Sequence, residues 1–437
     1  MPRARARNPS EDEPALPVMR LLRMPRMSSH ERRVLAATCL ASLGSFYTMA
    51  VMGFALPQIQ RGLAIPEAEL GSLFAVIRCG TLFSLALAIS ADRRGRRRLL
   101  IASVTGCALC NLATAFAQSG LTLACFQLVA RCFLGGQLLL ASVVVSEELA
   151  AEHRGRGLGL LAAVGGMGGA VALLVFAFVD RLPYGWRALF VVGSFGLLCL
   201  PWLWRSLKET RRFSDHLSQV SGGSPGASPW QGLRDIVRRY RWRLAAIVGV
   251  IAPVALILEP GTALVSKHLQ DDLGYSPGGV GLLMGVCGMA TPLGNMVAGS
   301  ASDHFGRKPV TILVSLVFSV AVALFYGGAG SVALTIGLAL LFFGMGAIMV
   351  LHTALATELF PTAFRSTAAG VREAVATVGA SAGLWALSLL YGATGSHAES
   401  ITWLLLVTPI SPVILLFVPE TARRELEEIA PHSARAR

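Results

Sequence analysis

Twelve stretches of this chain are long and apolar enough to cross hydrocarbon. That pattern constrains the fold more than any other feature of the sequence. They fall near 34–57, 70–91, 99–118, 121–146, 157–179, 186–205, 244–266, 278–301, 309–328, 332–356, 367–392 and 400–418. The hydrocarbon core of a bilayer is about 30 Å thick and takes roughly 20 helical residues to span. Inside it the backbone must satisfy its own hydrogen bonds, so such runs are read as helices. Composition agrees: 54% of residues are hydrophobic and 14% charged, against about 25% charged in a soluble domain, and mean hydropathy is +0.61. Too little charge remains to coat a water-soluble body of 437 residues. A soluble enzyme, a secreted disulfide scaffold and a disordered chain are disfavoured on these grounds.

The net charge of +13 raises the question of nucleic acid, and its distribution answers it. With the N-terminus in the cytosol, 31 of the 38 Lys and Arg residues fall on the cytosolic side, and Arg61, Arg181, Arg187 and Lys267 on the far side. The excess is a topology signal; no nucleic-acid partner is expected, and both termini are placed in the cytosol. Arg outnumbers Lys 35 to 3, which fits a GC-rich, bacterial genome. The Arg- and Pro-rich residues 1–33 lack the apolar core of a secretory signal and read as a cytosolic arm, with lipid contact as a lesser alternative. All eight cysteines lie in apolar stretches. Cys107 and Cys110 have CxxC spacing without a second ligand pair, so buried thiols are expected and no metal or cofactor.

An internal repeat runs at a fixed offset of 211 residues. Asp92, Gly95, Arg96 and Arg97 match Asp303, Gly306, Arg307 and Lys308; Glu147 and Arg154 match Glu358 and Arg365; Glu209 and Thr210 match Glu420 and Thr421. Equal spacing implies two six-helix halves running in the same direction, a transporter plan. The expected fold is all-α, with twelve transmembrane helices in two pseudo-symmetric six-helix bundles. The divisions are a 1–33 arm, a 34–207 bundle, a 208–243 cytosolic linker containing SGGSPGASP, a 244–421 bundle and a 422–437 tail.

These residues resemble the major facilitator superfamily. Ala88 to Arg97 is similar to the family's loop motif GxxxDRxGRR, with Ala for the first Gly, and Gly299 to Lys308 is similar to it again. Further landmarks resemble the branch holding sugar porters and metabolite–proton symporters: Arg131 with Gly135-Gly136, Gly185-Trp-Arg187, Lys208-Glu-Thr210, Glu358-Leu-Phe-Pro361 and Pro419-Glu-Thr421. The sugar-contact patterns of helices 7 and 10 and the helix 5 Gly-Pro motif of drug antiporters are absent. Where many relatives carry a helix 1 aspartate, this chain reads Ser45-Phe-Tyr47-Thr48. The resemblance implies alternating access, with Asp92, Arg93, Gly95, Arg96, Glu147, Arg154, Asp303, Gly306, Arg307, Glu358 and Arg365 forming latches at the cytosolic gate.

Ionisable residues within spans are costly and mark functional candidates. Arg78, Arg131, Glu259, His352, Arg372 and Glu373 qualify. Arg131 and Glu259 are the leading cavity residues because helices 1, 4, 7 and 10 line the cavity in the family; Arg78 adds positive charge, and Gln137 and Asn295 add neutral hydrogen bonds. Pro260 frees a carbonyl and can break helix 7. In proton-coupled relatives a helix 1 carboxylate pairs with the helix 4 arginine. Tyr47 stands in its place, so the partner of Arg131 is expected to be either a substrate anion or Glu259. Glu259 and Glu373 are the candidate coupling groups.

The expected function is secondary active or facilitative transport of a small metabolite, an organic anion or zwitterion, across the bacterial inner membrane. The protein would be a monomer in lipid, with protons as the candidate coupling ion. Proton-driven efflux of a drug or natural product is the alternative, and a non-transporting membrane sensor the alternative of another class. No catalytic constellation or nucleotide-phosphate loop is present, so no enzyme is expected.

Overall fold

The computed structural model describes residues 27–207, 234, 237–328, 330–360 and 365–420, and every regular element among them is helical. Twelve long helices follow one another: α1 Ser29–Phe54, α2 Leu70–Arg94, α3 Arg96–Ala115, α4 Gly120–Glu148, α5 Ala151–Phe176, α6 Trp186–Ser206, α7 Arg241–Ala263, α8 Pro277–Phe305, α9 Arg307–Tyr326, α10 Ser331–Glu358, α11 Arg365–Thr394 and α12 His397–Phe417. Among the described residues, eleven are long and apolar enough to cross a membrane. The other, α2, has 25 residues, carries Arg78 as the one charged residue between 70 and 87, and includes side chains that lie outside the described residues. The 208–233 part of the linker, residues 1–26 of the arm and the 421–437 tail lie outside the described residues.

Local sequence sets the helix ends. α1 starts at Ser29, ahead of its apolar run, because Ser28 and Glu31 form a capping box that satisfies backbone donors at the helix start. Ser119 forms a capping box with Thr122 at α4, and the Ser276 and Ser396 hydroxyls accept from backbone N–H groups at the starts of α8 and α12. Between α2 and α3, and again between α8 and α9, the chain turns on one glycine: Gly95 at φ +97° and Gly306 at φ +107°. Only glycine adopts that backbone without strain.

The two halves pack alike. In the first, α1 pairs with α5, α2 with α4 and α3 with α4; in the second, α7 pairs with α11, α8 with α10 and α9 with α10. Glycines set the closest crossings. Gly168 of α5 lies against the Leu43 carbonyl of α1, and Gly383 of α11 against the Leu256 carbonyl of α7; small residues let helix backbones approach this closely. Leu256 is four residues before Pro260, which has no N–H to donate to that carbonyl. α7 nevertheless continues unbroken to Ala263. The expected break at Pro260 is therefore absent, and the backbone of Gly383 packs against the freed carbonyl instead.

Between the halves, α2 meets α11 and α5 meets α8. Gly71 sits against the Leu384 carbonyl and Gly281 against Ala177, all toward the ends of these helices opposite Ser28. We call that end the far face, and the end bearing Ser28, Gly95 and Gly306 the basic face. The largest apolar core, running from Tyr47 and Phe176 to Val265 and Phe325, draws on both halves. Two smaller cores toward the basic face are each confined to one half, around Leu100, Val144 and Leu203 and around Ile251, Leu355 and Phe360. Among the described residues the halves thus share a core at the far face, while the cores toward the basic face each stay within one half.

Candidate functional site

Three ionisable side chains meet in the middle of the molecule. Arg78 and Arg131 lie about 12 and 16 Å along α2 and α4 from their far-face ends, at 1.5 Å per residue. Gly80 of α2 packs against the Cβ of Arg131, and Arg131 lies within range of the Arg78 charge; both arginines belong to the first half. Glu259 of α7 comes from the opposite half. Its Oε1 stands 3.5 Å from Nη1 of Arg78, with side chains 21% and 14% exposed. Arg131 is half-buried and lies within electrostatic range of Arg78, Glu259 and Cys107. Glu259 thus makes its direct contact with Arg78, not with Arg131 as one sequence reading has it. The Nε of Arg78 has no hydrogen-bond partner among the described residues.

The neutral candidates are placed differently. Gln137 is buried and donates to the Ala41 carbonyl of α1 at 2.6 Å, so its amide nitrogen is committed to packing, while its oxygen has no partner among the described residues. Asn295 is half-buried on α8 and makes no hydrogen bond with these groups. Tyr47 is buried and donates to the Leu189 carbonyl of α6 at 2.9 Å; it faces α6, not Arg131. Arg372 and Glu373 pair with each other at 2.6 Å. His352 is buried, and its Nε2 has no partner among the described residues. Trp186, which opens α6, is buried against Gly62 and Phe190. Among the described residues no cluster of three metal-ligating side chains forms.

On the basic face the repeated charges form one network per half. Arg96 meets Glu147 at 2.9 Å. In the second half Arg307 meets Asp303 at 2.6 Å and Glu358 at 3.1 Å, and reaches Ser302. Among the described residues, these ion pairs join groups of the same half. Arg154 does not join Glu147; it donates to the Leu149 carbonyl. Arg365 opens α11, and its side chain and those of Asp92 and Arg93 lie outside the described residues. Glu420 accepts from the backbone N–H groups of Arg307 and Lys308 at 2.8 and 3.1 Å, which places a carboxylate on the positive end of α9. The repeat extends to fine detail: Arg97 donates to the Trp204 carbonyl and Lys308 to the Leu416 carbonyl, each at 2.6 Å.

The far face carries a polar gate that sequence reading missed. Lys267, buried beyond the end of α7, gives its ammonium to Gln60 at 2.6 Å, Glu67 at 2.9 Å and Asp271 at 2.7 Å. Three donors meet three acceptors, two of them from the first half. His397 reaches the second oxygen of Glu67 at 2.9 Å. Arg61 pairs with Asp271, Gln58 bonds Gln270 at 2.6 Å, and Ser266 donates to the Phe54 carbonyl at 2.6 Å. Burial alone would raise the Glu67 carboxyl, but hydrogen bonds from His397, Lys267 and Gln60 and the Lys267 charge outweigh it and hold the group at about 2. The one signal in the sequence is Lys267 itself, a rare lysine on the side that topology leaves poor in basic residues. Its first-half partners, Glu67 and Gln60, are 200 and 207 residues away.

Two clefts lie away from Arg78, Arg131 and Glu259. One lies beside α1 and α5, lined by Leu35, Cys39, Leu160 and Val164. Another lies between Ile65, Leu73 and Leu121. Both belong to a single half.

The sequence profile of the Major Facilitator Superfamily matches residues 38–260 and again 260–435. The niacin transporter NiaP of Acinetobacter baylyi is 25% identical over 366 residues, 78% of this chain and 82% of its own. The gentisate transporter of Corynebacterium glutamicum is 22% identical over 295 residues, 66% of this chain and 65% of its own. The inward-open conformation of the xylose transporter XylE from E. coli superposes with a TM-score of 0.72 at 17% identity, covering 91% of this chain and 99% of that one. A match across nearly the whole chain, a repeated six-helix half and a twelve-helix fold shared with a solved transporter agree: this chain belongs to the major facilitator superfamily, a family of membrane transporters and not of enzymes.

Proposed function

We propose that the chain carries small organic anions across the bacterial inner membrane by alternating access, as a monomer with both termini in the cytosol. The observation that carries this reading is Arg131, a half-buried guanidinium in mid-span whose neighbour Glu259 is already engaged by Arg78. A buried cation without its own counter-ion is costly, and a bound carboxylate meets that need with charge-assisted hydrogen bonds. The printed substrates of the relatives support the same chemistry, since niacin and gentisate are ring carboxylic acids. The basic bias of the Ser28 face supports its placement in the cytosol. On that placement the site opens to the cytosol while the Lys267 gate closes the outside. Opening to the outside breaks the contacts of Lys267 and His397 with the first half. Proton coupling, where it operates, runs through Glu259, the acidic group at the site, with Glu373 as the second candidate.

A thermal-shift screen of the purified protein tests the reading. A ligand at a hundred times its Kd stabilises the native state by about 2.7 kcal/mol. Ring carboxylates such as nicotinate should stabilise the wild type and leave Arg131→Gln unshifted. Stabilisation by neutral analogues alone, or an unchanged shift in Arg131→Gln, contradicts it.

A further inference from the structure

We infer that Glu259 is a built-in counter-ion that sets the charge class of the substrate, admitting monoanions and rejecting dianions; this rests on the anion-transport reading above. The argument is a count of charges. In the middle of the molecule, among the described residues, stand two guanidiniums, Arg78 and Arg131, and one carboxylate, Glu259. The other ionisable pair within the spans, Arg372 and Glu373, cancels itself at 2.6 Å. The empty site therefore carries one uncompensated positive charge. One substrate carboxylate brings the site to neutrality. A second leaves a net negative charge in a setting of low dielectric, where unpaired charge is heavily penalised.

Glu259 fills this role from across the interface. It belongs to the second half while both cations belong to the first, so the count is complete only when the halves face each other. Its hold on Arg78 is a single 3.5 Å contact, longer than the 2.7–2.9 Å of a strong charge-assisted hydrogen bond. The Nε of Arg78 is unpartnered. Arg78 thus keeps donors in reserve: a substrate carboxylate on Arg131 can share them while Glu259 continues to balance the second charge. Removing the Glu259 charge frees both cations, and the site then matches a dianion. Removing Arg78 and Glu259 together restores a net charge of one and should restore the original preference. A residue that serves packing alone does not produce that reversal.

The test uses two ligands matched in size and differing by one charge, monomethyl isophthalate and isophthalate, with nicotinate as a reference. Affinities of the purified full-length protein are measured by calorimetry at neutral pH. The wild type should bind the monoester at least tenfold more tightly than the dianion. Glu259→Gln should shift that ratio at least tenfold toward isophthalate, and the Arg78→Gln/Glu259→Gln double variant should return it to the wild-type value. A wild type that binds nicotinate but treats the matched pair alike overturns the charge count and leaves the anion reading standing. So does an unchanged ratio in Glu259→Gln, or, if that variant fails to fold, a double variant that has lost the preference. A wild type that binds none of the three overturns both.

Discussion

Arg78 of α2 and Glu259 of α7 face each other across the plane between the halves, 3.5 Å apart. The pair ties the halves together in mid-membrane, away from the gate at the far face. Both side chains are mostly buried, so either one left alone is a partly desolvated charge. Complete burial of an orphaned ion costs about 3–5 kcal/mol; the residual exposure here reduces that to roughly 1–2 kcal/mol for each single variant. Thermal unfolding of Arg78→Gln, Glu259→Gln and the double variant should give a cycle in which the double costs less than the sum, by about 0.5 kcal/mol or more. Additive losses would mean that the two residues do not interact.

The far gate gives the second prediction. Lys267 makes three bonds at once, two of them to the first half, and hydrogen bonds to charged groups contribute about 1.5–3 kcal/mol each. Lys267→Gln should therefore raise the far-open population at least tenfold. Spin labels at Ala64 and Leu273, one on each half, should report a longer distance in the variant. An unchanged distance distribution would remove Lys267 from the gate.

Acid should act on the same contacts. Glu67 is held at about 2 in the closed gate, against an ordinary value of 4.5. A lowered carboxyl contributes to closure above its ordinary value and loses that contribution as pH falls from there toward its lowered value. The spin-label distance should lengthen between about pH 4.5 and 2, with Lys267, His397, Asp271 and Arg61 as the other charged or titratable groups of the gate. Glu67→Gln should abolish the dependence in that window. Persistence of the full transition in Glu67→Gln would assign it elsewhere.

Glu420 supplies a prediction on the basic face. It accepts from two N–H groups at the start of α9, where a carboxylate contributes about 0.3–1 kcal/mol through the helix dipole, up to about 2 when partly buried. Glu420→Gln keeps one acceptor and should cost about 1 kcal/mol in thermal unfolding. Glu420→Ala should cost more, and equal melting of both variants with the wild type would contradict the capping role.

Which features were legible in the sequence follows from how local each one is. Helix number, the repeat and the Gly95 and Gly306 turns depend on residues close in the chain or on periodicity, and they were read correctly. The 211-residue offset even anticipates that Arg97 and Lys308 act alike. Glu420 was visible as a motif, but its two N–H partners lie more than 110 residues earlier. Tyr47 was misplaced because helical phase, not position along the helix, decides that it meets α6. α7 runs on through Pro260 to Ala263, with Gly383 of α11 packed against the freed carbonyl, a contact that depends on tertiary packing. The far gate was missed for the same reason: Gln60, Glu67 and His397 carry no signal, and Lys267 only that of a lone lysine, until two halves and several loops are brought together.

The central claim is that Arg131 holds the anionic group of a small organic substrate. The most direct measurement compares nicotinate with nicotinamide, which share a ring and differ in having a carboxylate or a neutral amide. Equilibrium affinities are measured for the wild type and for Arg131→Gln. A hydrogen bond to a charged group contributes about 1.5–3 kcal/mol, so the wild type should favour nicotinate by at least tenfold and Arg131→Gln should erase that preference. Equal affinity of the wild type for both compounds, or an undiminished preference for nicotinate in Arg131→Gln, would contradict the account.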